Sequence, residues 1–323
     1  MIYYQVQHTT RFHYSEPISE SVVEVQMQPR TEAGQRCLQF TLTTTPRAKV
    51  SARVDPLGNV VHFFDLPGQH TDLAIHTESI VEVHSLPGAP ENLLMEEWDR
   101  LEHVTNMGDF WDMLMPSARV TTTDALRRFA AEIGIDSAQN ARQTDPLTVL
   151  RRMNHAIYTA FGYQPDSTQV DSPIDDALNA RMGVCQDFSH ILLALTRGIG
   201  IPCRYVSGYL FYRKEAKDRS TPDASHAWVE AFFPSTGWVG FDPTNNILTG
   251  ERHIRVAIGR DYNDVPPTRG VFKGAAVSDL DVAVHVQQLE SSAVETLLPQ
   301  TGWVPAPEAP PSTMSQSQQQ QQQ

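Results

Sequence analysis

The chain has 323 residues, 40% hydrophobic and 20% charged, which is enough apolar content to bury a core in each of two domains. Its 25 basic against 38 acidic residues leave a net charge of −13, a mean field that repels nucleic acid and anionic membrane surfaces and argues against both as partners. Three scattered cysteines, Cys37, Cys185 and Cys203, exclude a disulfide framework or zinc ribbon. The N-terminus Met1 to His8 lacks the pattern of a signal peptide, and no apolar run approaches the roughly 20 residues of a membrane helix, so the expectation is a cytoplasmic protein with reduced thiols.

Residues 1–85 alternate in short runs. Tyr4, Val6, His8, Thr10, Phe12 and Tyr14 share one parity; Val23, Val25 and Met27 form another run, followed by runs around Phe40, His62 and Val81. Turn signals stand between them at Ser15-Glu16-Pro17, Gln28-Pro29-Arg30, Asp55-Pro56-Leu57-Gly58-Asn59 and Leu66-Pro67-Gly68. Half-buried strands at this spacing predict an all-β, sandwich-like domain. His8, His13 and His62 read as strand residues rather than ligands.

Residues 86–123 lose the pattern and read as an interdomain segment, with Trp98, Phe110 and Trp111 as anchors onto a neighbour. Helices are predicted from Asp124 to Gly134, from the cap Asp145-Pro146 onward, and over roughly Ile174 to Arg181. Another helix follows Gly183-Val184-Cys185. Strands come next: Pro202 to Tyr212, Ala227 to Phe233, Gly237 to Asp242, then near Ile254 to Ile258 and near Asp281 to Gln288. Helices first and strands after predict an α+β domain over 124–290. Residues 291–323, rich in Pro and Ser and ending in glutamines, read as a disordered tail.

Cys185 stands directly after a glycine and directly before an apolar pattern of helical period, which puts its sulfur at a helix N-terminus. Unpaired N–H groups and the helix dipole favour a thiolate there, predicting a pKa below the free value of about 8.5. The bland reading is one more small buried residue. What favours chemistry is the set downstream. His226 begins one strand and Asp242 ends the next, 16 residues on, so a hairpin brings carboxylate and imidazole together. A thiolate, a histidine to carry its proton and a carboxylate to orient that histidine make an activated nucleophile. A metal site from Cys185, His190 and His226 lacks the close paired spacing of zinc ligands, and no calcium loop is visible; no metal or cofactor is expected. Asp187 and His190 read as capping or packing, Cys203 as core.

The blocks Gly183-Val184-Cys185-Gln186-Asp187-Phe188, Gly200 to Tyr209, His226-Ala227-Trp228-Val229-Glu230 and Gly237 to Thr244 resemble the core of the transglutaminase-like superfamily. Gly259 to Pro267 resembles a segment of its bacterial members, and the first 85 residues are similar to their N-terminal β domain. The resemblance implies a papain-like core of helices on an antiparallel sheet or barrel, with Cys185 as nucleophile, His226 as general base and acid and Asp242 as orienter. It implies acyl transfer from carboxamide, peptide or isopeptide bonds through a thioester, with peptide or protein as substrate. Hydrolysis by a peptidase or amidase is the favoured outcome, with protein-glutamine amine transfer (cross-linking or deamidation) and a non-catalytic binding module on the same fold as alternatives. The oxyanion would be held by the Cys185 N–H, with Tyr163 or Gln164 as further candidates; Tyr209, Trp228 and Trp238 would wall the site. The glutamine tail is either solvated or a self-substrate.

Overall fold

In the computed structural model, which describes residues 1–85, 88–222 and 224–297, the alternation beginning at Tyr4 runs to Tyr14 of strand β1 (Ile2–Val25) and resumes with the opposite parity at Ser21, Val23 and Val25. Tyr4, Val6, His8 and Thr10 are buried and their neighbours less so, as period two requires. Next come β2 (Gln35–Thr45), β3 (Ser51–Val54), β4 (Val60–Leu66) and β5 (His70–Val83). Helices α1 (Glu97–Asn106), α2 (Trp111–Leu114), α3 (Asp124–Glu132), α4 (Ala138–Ala141) and α5 (Pro146–Ala160) follow. Asp145 caps α5 by accepting from the N–H groups of Leu147 and Thr148, ahead of Pro146. The chain then passes β6 (Gly162–Tyr163), α6 (Ile174–Ala180), β7 (Met182–Gly183) and α7 (Cys185–Gly198). It ends in β8 (Cys203–Leu210), β9 (Ser225–Phe233), β10 (Gly237–Asp242), β11 (Ile247–Leu248), β12 (His253–Gly259), β13 (Thr268–Lys273), β14 (Ser278–Leu289) and α8 (Ser291–Leu297).

A seven-stranded antiparallel sheet forms around β1 in the order β2-β5-β1-β4-β3, with β13 and β14 also on β1. The expected turn at Ser15-Glu16-Pro17 is instead a shift of register between His13 and Ile18 within one strand. Proline has no N–H for the ladder, so the strand bends there without breaking. Its first half pairs β5 and β14; its second half pairs β4 and β13. The other sheet, β11-β10-β9-β8-β12, is antiparallel, and α7 packs on β8 and β9.

Several expectations differ from this arrangement. The span 124–290 is not one unit of pairing, because β13 and β14 return to the N-terminal sheet. Residues 86–123 carry α1 and α2; Trp98 is buried and Phe110 packs on Phe232 with ring centroids 4.3 Å apart, whereas Trp111 is 62% exposed. Residues 291–297 form α8. The glutamine run lies outside the described residues. Among the described residues, no helix is long and apolar enough to cross a membrane.

The two sheets meet along β12, the edge of the second. Gln35 donates its Nε2 to the Arg255 carbonyl and accepts from the Arg255 N–H, both at 2.8 Å, and Asn59 does the same to Ile258 at 2.8 Å. The two side-chain amides thus occupy backbone groups that an edge strand would otherwise leave open. Tyr4, Val6, Val81 and Val83 of the first sheet share one apolar core with α5, α7 and the second sheet.

Beside this seam Glu230 is fully buried between Arg204 and Arg255. Burial by itself would raise its pKa, but the charges of Arg255 and Arg204 outweigh that and hold it at about 2, below the ordinary 4.5. Removing one partner of a buried pair strands the other charges. Glu230→Gln is therefore expected to lower stability by about 3–5 kcal/mol, read as a lower urea midpoint at constant slope. Because the folded pKa is depressed, the Glu230 contribution is complete above pH ~4.5 and lost as pH falls toward 2. The variant should lose that part of the acid-unfolding transition.

Candidate active site

Cys185 is the first residue of α7, and local structure brings it there. Helix α6 ends at Arg181 in the left-handed conformation, φ 54°, and β7 then pairs in parallel with β6, Tyr163 beside Gly183. Gln164 donates its N–H to the Gly183 carbonyl at 3.0 Å. Asp187, third in α7, reaches back to accept from the Val184 N–H at 2.8 Å and from the Thr168 hydroxyl at 2.7 Å. It is a cap, as one of the sequence readings held, and burial pushes its carboxyl above the ordinary carboxylate value despite those bonds. A Cβ on Gly183 would lie 2.9 Å from the Asp187 carboxylate, so this turn needs glycine for space.

The β9–β10 hairpin does what its spacing predicts. His226 Nε2 lies 2.8 Å from Asp242 Oδ2, and both residues are buried. Asp242 is saturated. Oδ1 accepts from the N–H groups of Thr244 at 3.0 Å and Asn245 at 3.2 Å; Oδ2 accepts from His226, from Asn245 Nδ2 at 2.8 Å and from His253 Nε2 at 3.3 Å. Burial would push the Asp242 carboxyl up, but His226, the hydrogen bonds and His253 hold it well below the carboxylate range. Burial would likewise depress the His226 imidazole. The charge and hydrogen bond of Asp242, together with the Cys185 sulfur, outweigh burial and lift the imidazole to about 10. Its Nδ1 is buried without a well-formed hydrogen bond, and Cys185 is the group besides Asp242 that acts on the ring.

Three largely buried tyrosines lie within electrostatic range of Cys185. Burial raises the hydroxyl pKa values of Tyr163, Tyr205 and Tyr262, and the nearby Cys185 adds to each rise. Tyr163 pairs with Gly183, two residues before Cys185, and its hydroxyl lies 3.2 Å from Thr221 Oγ1. Gln164 comes near through its backbone; its side chain is exposed.

The expectation of a substrate wall from Tyr209, Trp228 and Trp238 needs correction. Tyr209 is buried and its hydroxyl is engaged by His8 Nδ1 at 2.9 Å, at the junction with β1. Trp228 is fully enclosed, with its ring 5.2 Å from His253 and 6.1 Å from His226. It braces the histidines from within, over Gly208, where a Cβ would collide with the indole and with the Ile254 carbonyl. Trp238 packs against Arg204 at 4.1 Å and Phe110 at 5.9 Å.

Sequence reasoning missed Tyr205, Tyr262, Asn245 and His253. Asn245, three residues after Asp242, was within reach of a turn argument; His253 carries no local signal and arrives through β12 pairing with β8. Among the described residues, His226, Asp242 and His253 are a group whose potential ligand atoms lie within 4.8 Å of one another. The Gly250 N–H donates to His253 Nδ1 at 3.2 Å, which places the ring proton on Nε2, toward Asp242. With both imidazoles directed at one carboxylate oxygen, the group is a hydrogen-bond network rather than a ligand cage. His190, the other histidine considered for metal, accepts from the Tyr262 N–H at 3.2 Å.

Comparison with known proteins identifies the family. Residues 134–243 match the model of the transglutaminase-like superfamily, and residues 4–82 match the bacterial transglutaminase-like N-terminal region. The chain belongs to the transglutaminase-like superfamily. An uncharacterized protein of Mycobacterium leprae is 35% identical over 286 residues, 88% of this chain and 98% of that one. A stretch of this family member is also 30% identical over 111 residues to a protein-glutamine gamma-glutamyltransferase of Pseudomonas aeruginosa, covering 31% of this chain and 15% of that protein. Among solved structures, a candidate cysteine protease from Cytophaga hutchinsonii shares the fold, with a TM-score of 0.69 and 21% identity over 90% of this chain and 91% of that one.

The transglutaminase-like core makes a sharp electrostatic test possible. Asp242→Asn removes the charge that outweighs burial at His226. The imidazole pKa should then fall from about 10 to below its ordinary 6.5, followed by NMR titration of labelled histidine.

Proposed function

We propose that this protein is a thiol-dependent acyl-transfer enzyme that opens carboxamide, peptide or isopeptide bonds. The observation that carries the reading is Cys185 at the first position of α7 beside an imidazole bonded to a buried carboxylate. In the reaction the Cys185 sulfur attacks the carbonyl carbon. The oxyanion is met by the Cys185 N–H, which as the first helical donor has no intrahelical partner, and by the Tyr163 hydroxyl. The protonated His226 gives its proton to the leaving nitrogen as the C–N bond breaks, leaving a thioester. Water then adds, its proton passing to His226, and the C–S bond breaks to release acid and restore the thiolate beside the protonated imidazole. Asp242 holds the ring throughout.

Cys185 is only partly buried, so water reaches the thioester in competition with any amine, which supports hydrolysis as the main outcome. A second reading, transfer to an amine, is supported by the likeness of a stretch of the chain to the Pseudomonas transferase. Incubating the protein and Cys185→Ala with a peptide library, with and without a primary amine, separates them by product mass. Hydrolysis gives cleaved or deamidated peptides whether or not amine is present, whereas transfer gives amine adducts. Cys185→Ala should lower turnover on the order of 10⁴–10⁶-fold. Equal turnover by the variant, or none by the wild type on any carboxamide, would sink the reading.

A further inference from the structure

Asp242 is enclosed on the side of His226 by the protein interior, but a cavity of about 700 Å³ lies close by. It is lined by Val83 and His84 from the N-terminal sheet and by Trp238, Gly250, Glu251 and His253 from the second. His253 is among its lining residues and Asp242 is not. His253 therefore borders the cavity on one side and Asp242 on the other, its Nδ1 fixed by the Gly250 N–H and its Nε2 on Asp242 Oδ2. Trp228 meets its ring edge-on, at an interplanar angle of 75°. The charged and titratable groups around it are Asp242 from β10, His226 from β9, Glu251, Arg252 and Arg255 on its own segment and, from the end of the N-terminal sheet, His84 of the cavity lining.

We propose that His253 is a positioning residue: a neutral imidazole that holds the Asp242 carboxylate in the plane His226 requires and closes it off from the cavity. The inference rests on the reading of Asp242 as orienter of His226, and it goes beyond the three residues of that reading. The argument is one of geometry. A carboxylate can rotate about its bond to Cβ, and each oxygen that is held reduces that freedom. Thr244 and Asn245 N–H groups hold Oδ1, and the Asn245 side chain and His253 hold Oδ2 beside His226. Of these, His253 alone also lines the cavity. A shorter residue there would remove a donor and admit water to the carboxylate in the same step, and water competes for the lone pairs that orient His226. The fixed tautomer matters as well. A proton on Nδ1 instead would set two donors, the imidazole and the Gly250 N–H, against each other.

The test reads the proton shared between His226 Nε2 and Asp242, which resonates far downfield in ¹H NMR while it is sheltered from water. The spectrum is recorded on the full chain without substrate, so the result is independent of which bonds the protein opens. Asp242→Asn assigns the signal by abolishing it; a signal that survives overturns the pairing on which both readings rest. His253→Ala is expected to speed exchange of this proton with water about tenfold or more, as loss of a hydrogen bond to a charged group implies. His253→Gln, whose amide nitrogen can reach the position of Nε2, is expected to restore slow exchange. If the alanine variant does not fold, His253→Asn, too short to reach Oδ2, takes its place with the same expectation. Wild-type exchange in the short variants, or no recovery in the glutamine variant, would show that His253 only fills space and would overturn the proposal.

Discussion

The buried carboxylate of Asp242 is the constraint around which the second sheet is arranged. A lone ionised carboxyl in a protein interior is far too costly to persist, and it is tolerated only when its lone pairs are satisfied by fixed donors. Here five donors come from the turn after β10, from β9 and from the start of β12. That requirement reaches outward. Asn245 accepts from the Arg219 N–H at 2.8 Å, and Arg219 reaches the carbonyls of Tyr158 and Phe161 at the end of α5. The segment before β9, the end of α5 and the β10 turn are thereby tied to one charge.

The N-terminal sheet enters the site through β12. Gln35 and Asn59 replace a missing neighbouring strand along that edge, and Arg30 adds a backbone bond to the Arg255 carbonyl at 3.0 Å. Since His253 begins this strand, fixing β12 at Arg255 and Ile258 also fixes where its imidazole stands. β13 and β14 strengthen the same coupling from the other end of the chain, because they leave the second sheet and complete the first. The two sheets are mutually dependent, and the chain interleaves them rather than stacking one domain after another.

How far the sequence disclosed this follows from the range of the interactions. The Cys185 helix start, the Asp145 cap and the β9–β10 hairpin rest on contacts a few to sixteen residues apart, where glycine, capping residues and alternation leave direct marks. The bend in β1 was hidden because Pro17 signals an interruption without saying whether the strand ends or turns a corner. The return of β13 and β14 was hidden too, since alternation shows that a strand is half-buried but not which sheet accepts it. Tyr209 and Trp228 misled for a related reason. An aromatic beside a catalytic motif has the composition of a substrate wall, yet cross-strand register turns Tyr209 toward His8 and shuts Trp228 beneath two imidazoles.

The burial of so much charge has an energetic consequence. Glu230 with Arg204 and Arg255, and Asp242 with His226, lie in the same small sheet, with His226 and Glu230 four residues apart along β9, and such pairs seldom contribute net stability once desolvation is counted. The compensation has to come from apolar burial, and the core that joins Leu150, Met153 and Ile157 of α5 with Ile191 and Leu195 of α7 lies against this sheet. Helix α7 therefore has two roles that oppose each other energetically. Its body buries the apolar surface that stabilises the fold, while its first residue presents a polarisable sulfur to an imidazole held charged in the interior. In the proposed reaction, placing the sulfur at the end of the helix, where backbone N–H groups are unpaired, lets both roles share one element, because the part that packs is not the part that would react.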